Sequence, residues 1–194
     1  MRIVSWDLET TDLKALFGIV LCSSFQEIVP SGYYGNHHDT PPRPYTLRLE
    51  RTNRNRFNAN PDKALVVAIR DELEKYNAVV TWNGKMFDIP FLNARLAFFG
   101  ERPVRIQFNI DAMYYAGSTS MRIGSRRLAN VEKFFHLGDS TNGGKTEIDW
   151  DVWKAAGLGD PKAMKEVVNH CEQDTKVLTE AYWKLLPFIS TIHR

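Results

Sequence analysis

Asp7 and Glu9 sit two residues apart at the end of an apolar, strand-like run, Ile3-Val4-Ser5-Trp6-Asp7-Leu8-Glu9. Side chains two apart on a strand project from the same face. The two carboxylates therefore stand side by side, roughly 7 Å apart at the backbone given the rise of a strand. Like charges that close repel. A divalent cation between them removes the conflict, and hard carboxylate oxygens suit Mg²⁺ or Mn²⁺.

Other acids fall where they could join this pair. Asp174 lies in register with Val167, Cys171, Leu178, Ala181 and Leu185, a core-facing stripe at helical spacing. A carboxylate there is costly unless something compensates it. An arginine could, but a metal bound together with other acids explains it better. His170 stands four residues before Asp174 and shares its helix face; alone, it reads as a satisfied core or boundary histidine. Asp88 ends the segment Trp82-Asn83-Gly84-Lys85-Met86-Phe87-Asp88, which runs from a strand end to a helix start. By itself Asp88 reads as an N-cap, and Asn83-Gly84 as a plain turn.

The elements that must position these groups are legible from periodicity. Residues 2–8, 16–25, 45–50, 78–82 and 104–110 read as strands. Asn60-Pro61 opens a helix carrying the stripe Leu65, Ile69, Leu73. Residues 88–99 read as a helix with Pro90 in its first turn, and residues 126–135 as another. Asp160-Pro161 opens the last helix, which runs to about Leu186. Strands first, then strands alternating with helices, predict an α/β domain with a mixed sheet. Residues 30–44, rich in Gly, Pro, Asn and His, read as a long loop insertion. It holds His37, His38 and Asp39, which read as loop residues before a metal site, and Tyr33 and Tyr34, which could stack on bases.

Composition narrows the class. The 194 residues suit a single domain spanning 1–194, and 43% hydrophobic residues are enough for an ordinary core. The net charge of +2 announces no nucleic acid by itself. However, Arg43, Arg48, Arg51, Arg54 and Arg56 cluster against one acid, Glu50, and Arg122, Arg126 and Arg127 make a second group. Each cluster reads equally as a solvated face or a phosphate contact. Cys22 and Cys171 are in apolar settings outside any C-x-x-C pair and read as buried free thiols of a reducing compartment. No signal peptide or membrane span is visible, so a cytoplasmic protein is expected.

Taken in order, these segments resemble the three motifs of the DEDD superfamily of 3′→5′ exonucleases, which have the ribonuclease H-like fold. Trp6-Asp7-Leu8-Glu9-Thr10-Thr11 resembles the first motif. Asn83-Gly84-Lys85-Met86-Phe87-Asp88-Ile89-Pro90-Phe91-Leu92 resembles the second, especially as found in proofreading domains of family B DNA polymerases and their stand-alone relatives. Asn169-His170-Cys171-Glu172-Gln173-Asp174 occupies the place of the third. One branch of that family uses Tyr four positions before the last Asp, the other His five positions before it. Here His170 stands where the Tyr normally stands.

The resemblance implies a ribonuclease H-like mixed β-sheet flanked by helices and two-metal hydrolysis at the 3′ end of single-stranded DNA or RNA. Nucleoside 5′-monophosphates would be released. Asp7, Glu9, Asp88 and Asp174 would hold two divalent cations, Mg²⁺ or Mn²⁺, and His170 would orient the attacking water. Backbone at Leu8 and Thr10 would meet the terminal nucleotide, with Asn83 and Phe87 on the strand behind it. Asp111 reads as a cap or a supporting group. A separate polymerase or repair complex is a partner the resemblance allows. Three rivals stay open: a catalytically impaired nucleic-acid-binding module of the same fold, a structure-specific endonuclease of the ribonuclease H or resolvase type, and a structural protein whose acids are coincidental.

Overall fold

A computed structural model describes residues 1–29, 42–50, 61–117, 121–138 and 148–189. Most of the loop predicted over 30–44, with its histidines and tyrosines, lies outside these residues, as do Arg51, Arg54 and Arg56.

The sheet has five strands: β1 (Ile3–Thr10), β2 (Val20–Ile28), β3 (Tyr45–Arg48), β4 (Ala78–Thr81) and β5 (Phe108–Asp111), in spatial order β3-β2-β1-β4-β5. β2 runs antiparallel to both β1 and β3, while β4 runs parallel to β1 and β5 parallel to β4. The expected mixed sheet is therefore present. β4 is buried along its whole length, as expected of a parallel strand covered on both faces. Between Glu9 and Thr10 the β1–β2 register slips, an irregularity of the kind that re-aims side chains beside functional sites.

Six α-helices accompany the sheet among the described residues: α1 (Lys63–Leu73), α2 (Asp88–Phe98), α3 (Ala112–Ala116), α4 (Leu128–Phe135), α5 (Trp150–Gly157) and α6 (Pro161–Leu185). α6 starts where its sequence dictates. Pro161 occupies the first turn, and the Asp160 carboxylate accepts the Lys162 and Ala163 N–H groups. It crosses β1 and β2, and the Ser5 hydroxyl meets both the Thr175 carbonyl and the Thr179 hydroxyl. The stripe Val167, Cys171, Leu178, Ala181 and Leu185 is buried as predicted, with Asp174 half-buried at its margin.

Several boundaries differ from expectation. Residues 16–19 do not extend β2. The Phe17 and Gly18 N–H groups close a turn on the Lys14 carbonyl, and Leu16 and Phe17 are exposed. Their apolar character imitated a strand without supplying a partner. Residues 104–107 are likewise irregular, with the Val104 N–H donating to the Asn93 side chain. α1 begins at Lys63, two residues after Pro61. Its N-cap, Asp62, does not cap α1 with its side chain. Instead the fully buried Asp62 carboxylate accepts from the Val20 N–H and from two nitrogens of Arg95. One group thus ties β2, α1 and α2 together. Among the described residues no helix is long and apolar enough to cross a membrane.

Candidate active site

The parallel strands β1, β4 and β5 all end at the same side of the sheet, the side where open α/β sheets place their ligand crevices. Asp7 and Glu9 close β1, Asp88 follows β4, and Asp111 closes β5. α6 brings His170 and Asp174 to the same place. The His170 Nε2 atom lies 3.8 Å from Glu9 Oε1 and 3.9 Å from Asp174 Oδ2. Acids from opposite ends of the chain therefore face each other across one imidazole nitrogen. All three side chains are mostly shielded, at 11% exposure for His170 and 13% for each carboxylate.

Asp88 enters from α2. It is the first helical residue, and the N-cap position belongs to Phe87, which corrects the plain capping expectation. Its carboxyl accepts the backbone N–H of Leu8 and is held well above the usual carboxylate range. Burial is the main cause, followed by the negative charge of Asp7 and then that of Asp111. The folded form therefore keeps a proton that the unfolded chain releases, in a window from the ordinary aspartate pKa up to the raised one. Stability falls as pH rises through that window. Asp88→Asn, which mimics the neutral acid, is expected to raise the melting temperature in EDTA above wild type at pH 7. Calorimetric scans of both proteins check this, and a lower value in the variant would contradict it.

The loop before Asp88 is pinned from beneath. Asp111 makes no side-chain cap on α3. Its two carboxylate oxygens take the N–H groups of Asn83 at 2.9 Å and Lys85 at 3.2 Å. Asn83 is left-handed, with φ of 65°, a conformation that Asn adopts more readily than most residues. Gly84 lies so close to β4 that a Cβ there would meet the Thr81 side chain well inside contact distance. Thr81 cannot give way, because it is fully buried and its hydroxyl donates to Asn109. Gly84→Ala is therefore expected to cost about 1–3 kcal/mol by overpacking. Urea unfolding of the variant checks this, and a stability equal to wild type would contradict it.

The residues proposed to touch substrate are distributed unevenly. Phe87 is half-buried and packs at a tilt on Phe91, with ring centroids 5.7 Å apart. The Leu8 side chain is in the core, and the Thr10 hydroxyl donates to the Asp12 carbonyl. Only their backbone is left to face a ligand.

One group at the site was not foreseen. Trp153, on α5, donates its indole N–H to Glu9 Oε2 at 2.8 Å and meets the His170 ring edge-on, 5.5 Å between centroids. α5 is one short helix of eight residues, too brief for a periodic signal. Asp149 was the available clue: its carboxylate accepts the Asp151 N–H and caps the helix.

A divalent cation fits this donor set. Asp7, Glu9 and Cys171 each offer a ligand atom, all within 4.8 Å of one another. Cys171 is the exception among them. Burial pushes its thiol well above the usual range, so sulfur stays protonated, with S–H directed at the Asp7 carbonyl oxygen 3.7 Å away. The remaining donors are hard oxygens, which favour Mg²⁺ or Mn²⁺ over a thiophilic metal. The charge of Asp7, which adds to the effect of burial on Asp88, is a conflict that a cation would relieve.

A model of the RNase H superfamily matches residues 45–186, a span that includes Asp88, His170 and Asp174 but not β1. Among solved structures, the family B DNA polymerase from the hyperthermophilic archaeon Pyrobaculum calidifontis resembles 97% of this chain with a TM-score of 0.68. Identity is 17%, so the likeness is one of fold, and the chain corresponds to 25% of that polymerase chain. No curated protein sequence matches. The order of the strands, the flanking helices and the match over residues 45–186 agree: the chain belongs to the RNase H superfamily.

Proposed function

We propose that this chain is a metal-dependent 3′→5′ exonuclease of the DEDD kind, working as one domain over residues 1–194 on single-stranded nucleic acid. The observation that carries the reading is the meeting of Glu9 and Asp174 across His170 Nε2, beside Asp7 and the buried Asp88. Asp7, Glu9, Asp88 and Asp174 would hold two ions of Mg²⁺ or Mn²⁺. Bound there, such ions supply Lewis-acid stabilisation of the attacking and leaving oxygens of an in-line displacement.

The protein's own groups do the rest. His170 Nε2 orients the attacking water, and the lone pair of a neutral imidazole there can take its proton. Backbone at Leu8 and Thr10 bounds the terminal nucleotide. Asn83 and Phe87 contact the strand behind it, Phe87 by stacking. Shielded carboxylates in a closed corner suit a single strand or a frayed end better than an intact duplex.

A time course on 5′-labelled DNA and RNA oligomers tests this. Ladders shortening from the 3′ end in Mg²⁺ or Mn²⁺ are expected, with none in EDTA and none when the 3′ end carries a phosphate. Cleavage of a circular single strand would identify an endonuclease instead. Mn²⁺ binding without any cleavage would identify a binding module that keeps the fold.

A further inference from the structure

The geometry points to Trp153 as a positioning residue that sets the orientation of the Glu9 carboxylate and of His170 together; this deepens the proposed function and rests on it. The two oxygens of Glu9 have different neighbours. Oε2 accepts the indole N–H at 2.8 Å, whereas Oε1 faces His170 Nε2 at 3.8 Å. A part-turn of the carboxylate about its last bond would break the indole contact, so the hydrogen bond fixes the plane of the group with its other oxygen toward the imidazole. The same indole lies against the His170 ring at an interplanar angle of 87°. That edge-on contact restricts rotation of the imidazole about its own side chain. One side chain therefore restrains both the first acid motif and the helix that carries the last.

The seat of Trp153 is itself constrained. α5 packs along α6, and Gly157 lets its far end approach Thr11, where a Cβ would collide with the Thr11 methyl. The outer face of Trp153 is stacked by Trp150, with centroids 6.2 Å apart and planes within 23°. A donor held this way works as groups behind metal ligands do, by fixing the orientation of the ligand. Loss of such a partner typically weakens metal affinity about 10-fold to 100-fold.

Trp153→Phe removes the N–H and keeps an aromatic ring against His170. Calorimetric titration of the whole chain with Mn²⁺ is expected to show affinity reduced at least 10-fold relative to wild type. The nuclease rate of the variant should recover as Mn²⁺ is raised to saturation. A purely structural role would lower the melting temperature in EDTA but leave the Mn²⁺ affinity of the folded protein unchanged, and that result overturns the inference. If wild type itself binds no Mn²⁺, the proposed function fails and not only this inference. Where the Phe variant does not fold, the five tryptophan indole N–H resonances of wild type carry the test. One must shift on adding Mg²⁺ and shift in the metal-free protein on Glu9→Gln; no response to either overturns the assignment.

Discussion

Asp7→Asn is expected to reduce metal-dependent strand shortening by roughly three orders of magnitude or more, because removing a ligand that anchors a catalytic cation forfeits several kcal/mol of transition-state stabilisation. The fold should survive. Asp7 is half-buried at the end of β1, and its backbone carbonyl receives the Ser23 hydroxyl and the Cys171 S–H. Asn keeps both contacts. It also removes the charge that helps push the Asp88 carboxyl up. The melting temperature in EDTA should therefore equal or exceed that of wild type, as happens where a site is held together against its own repulsion. Initial rates on a 5′-labelled strand, paired with thermal scans, check both halves. Wild-type rates in a folded variant would contradict the metal assignment.

The largest expected loss of stability lies away from this corner. Arg95→Ala strips the partner from Asp62, which is fully buried and receives two Arg95 nitrogens at 2.9 and 2.6 Å besides the Val20 N–H at 3.0 Å. With only the Val20 N–H left to it, a carboxylate at such depth keeps an uncompensated charge. Breaking one side of a buried ion pair costs about 3–5 kcal/mol. Arg95 also lies over the rings of Phe98 and Phe99, 4.9 and 5.0 Å from their centroids, so its stem and charge cover aromatic surface. At about 2–4 °C per kcal/mol for a chain of this size, the melting temperature should fall by about 10 °C. Urea unfolding checks the figure, and a loss below about 1 kcal/mol would contradict it. Arg95→Met with Asp62→Leu, which removes both charges, should cost less than the single change.

The contrast between these two acids shows what the chain discloses in one dimension. Asp174 stands out because it interrupts a helical apolar stripe, and Asp7 and Glu9 because alternation on a strand puts them on one face. These are local periodicities, and the mixed sheet follows from them in the same way. Asp62 breaks no pattern and reads as a helix N-terminus, yet its carboxylate serves three elements, two of them remote in sequence. Asp111 is similar: the strand end is visible, but its hold on the N–H groups of Asn83 and Lys85 depends on β5 lying beside β4. Trp153 is the clearest case. Nothing in an eight-residue helix 144 positions from Glu9 signals that its indole will reach that carboxylate. Apolar residues misled in the opposite direction at Leu16 and Phe17, where hydrophobicity without a strand partner produced an exposed turn.

Calorimetric titration with Mn²⁺ asks whether acids from β1, α2 and α6 form one pocket that holds two cations. Wild type is expected to bind two equivalents, and Asp7→Asn, Asp88→Asn and Asp174→Asn are each expected to bind fewer or bind more weakly. Isotherms in which all three variants match wild type, or a wild type that takes up no Mn²⁺, would contradict the account.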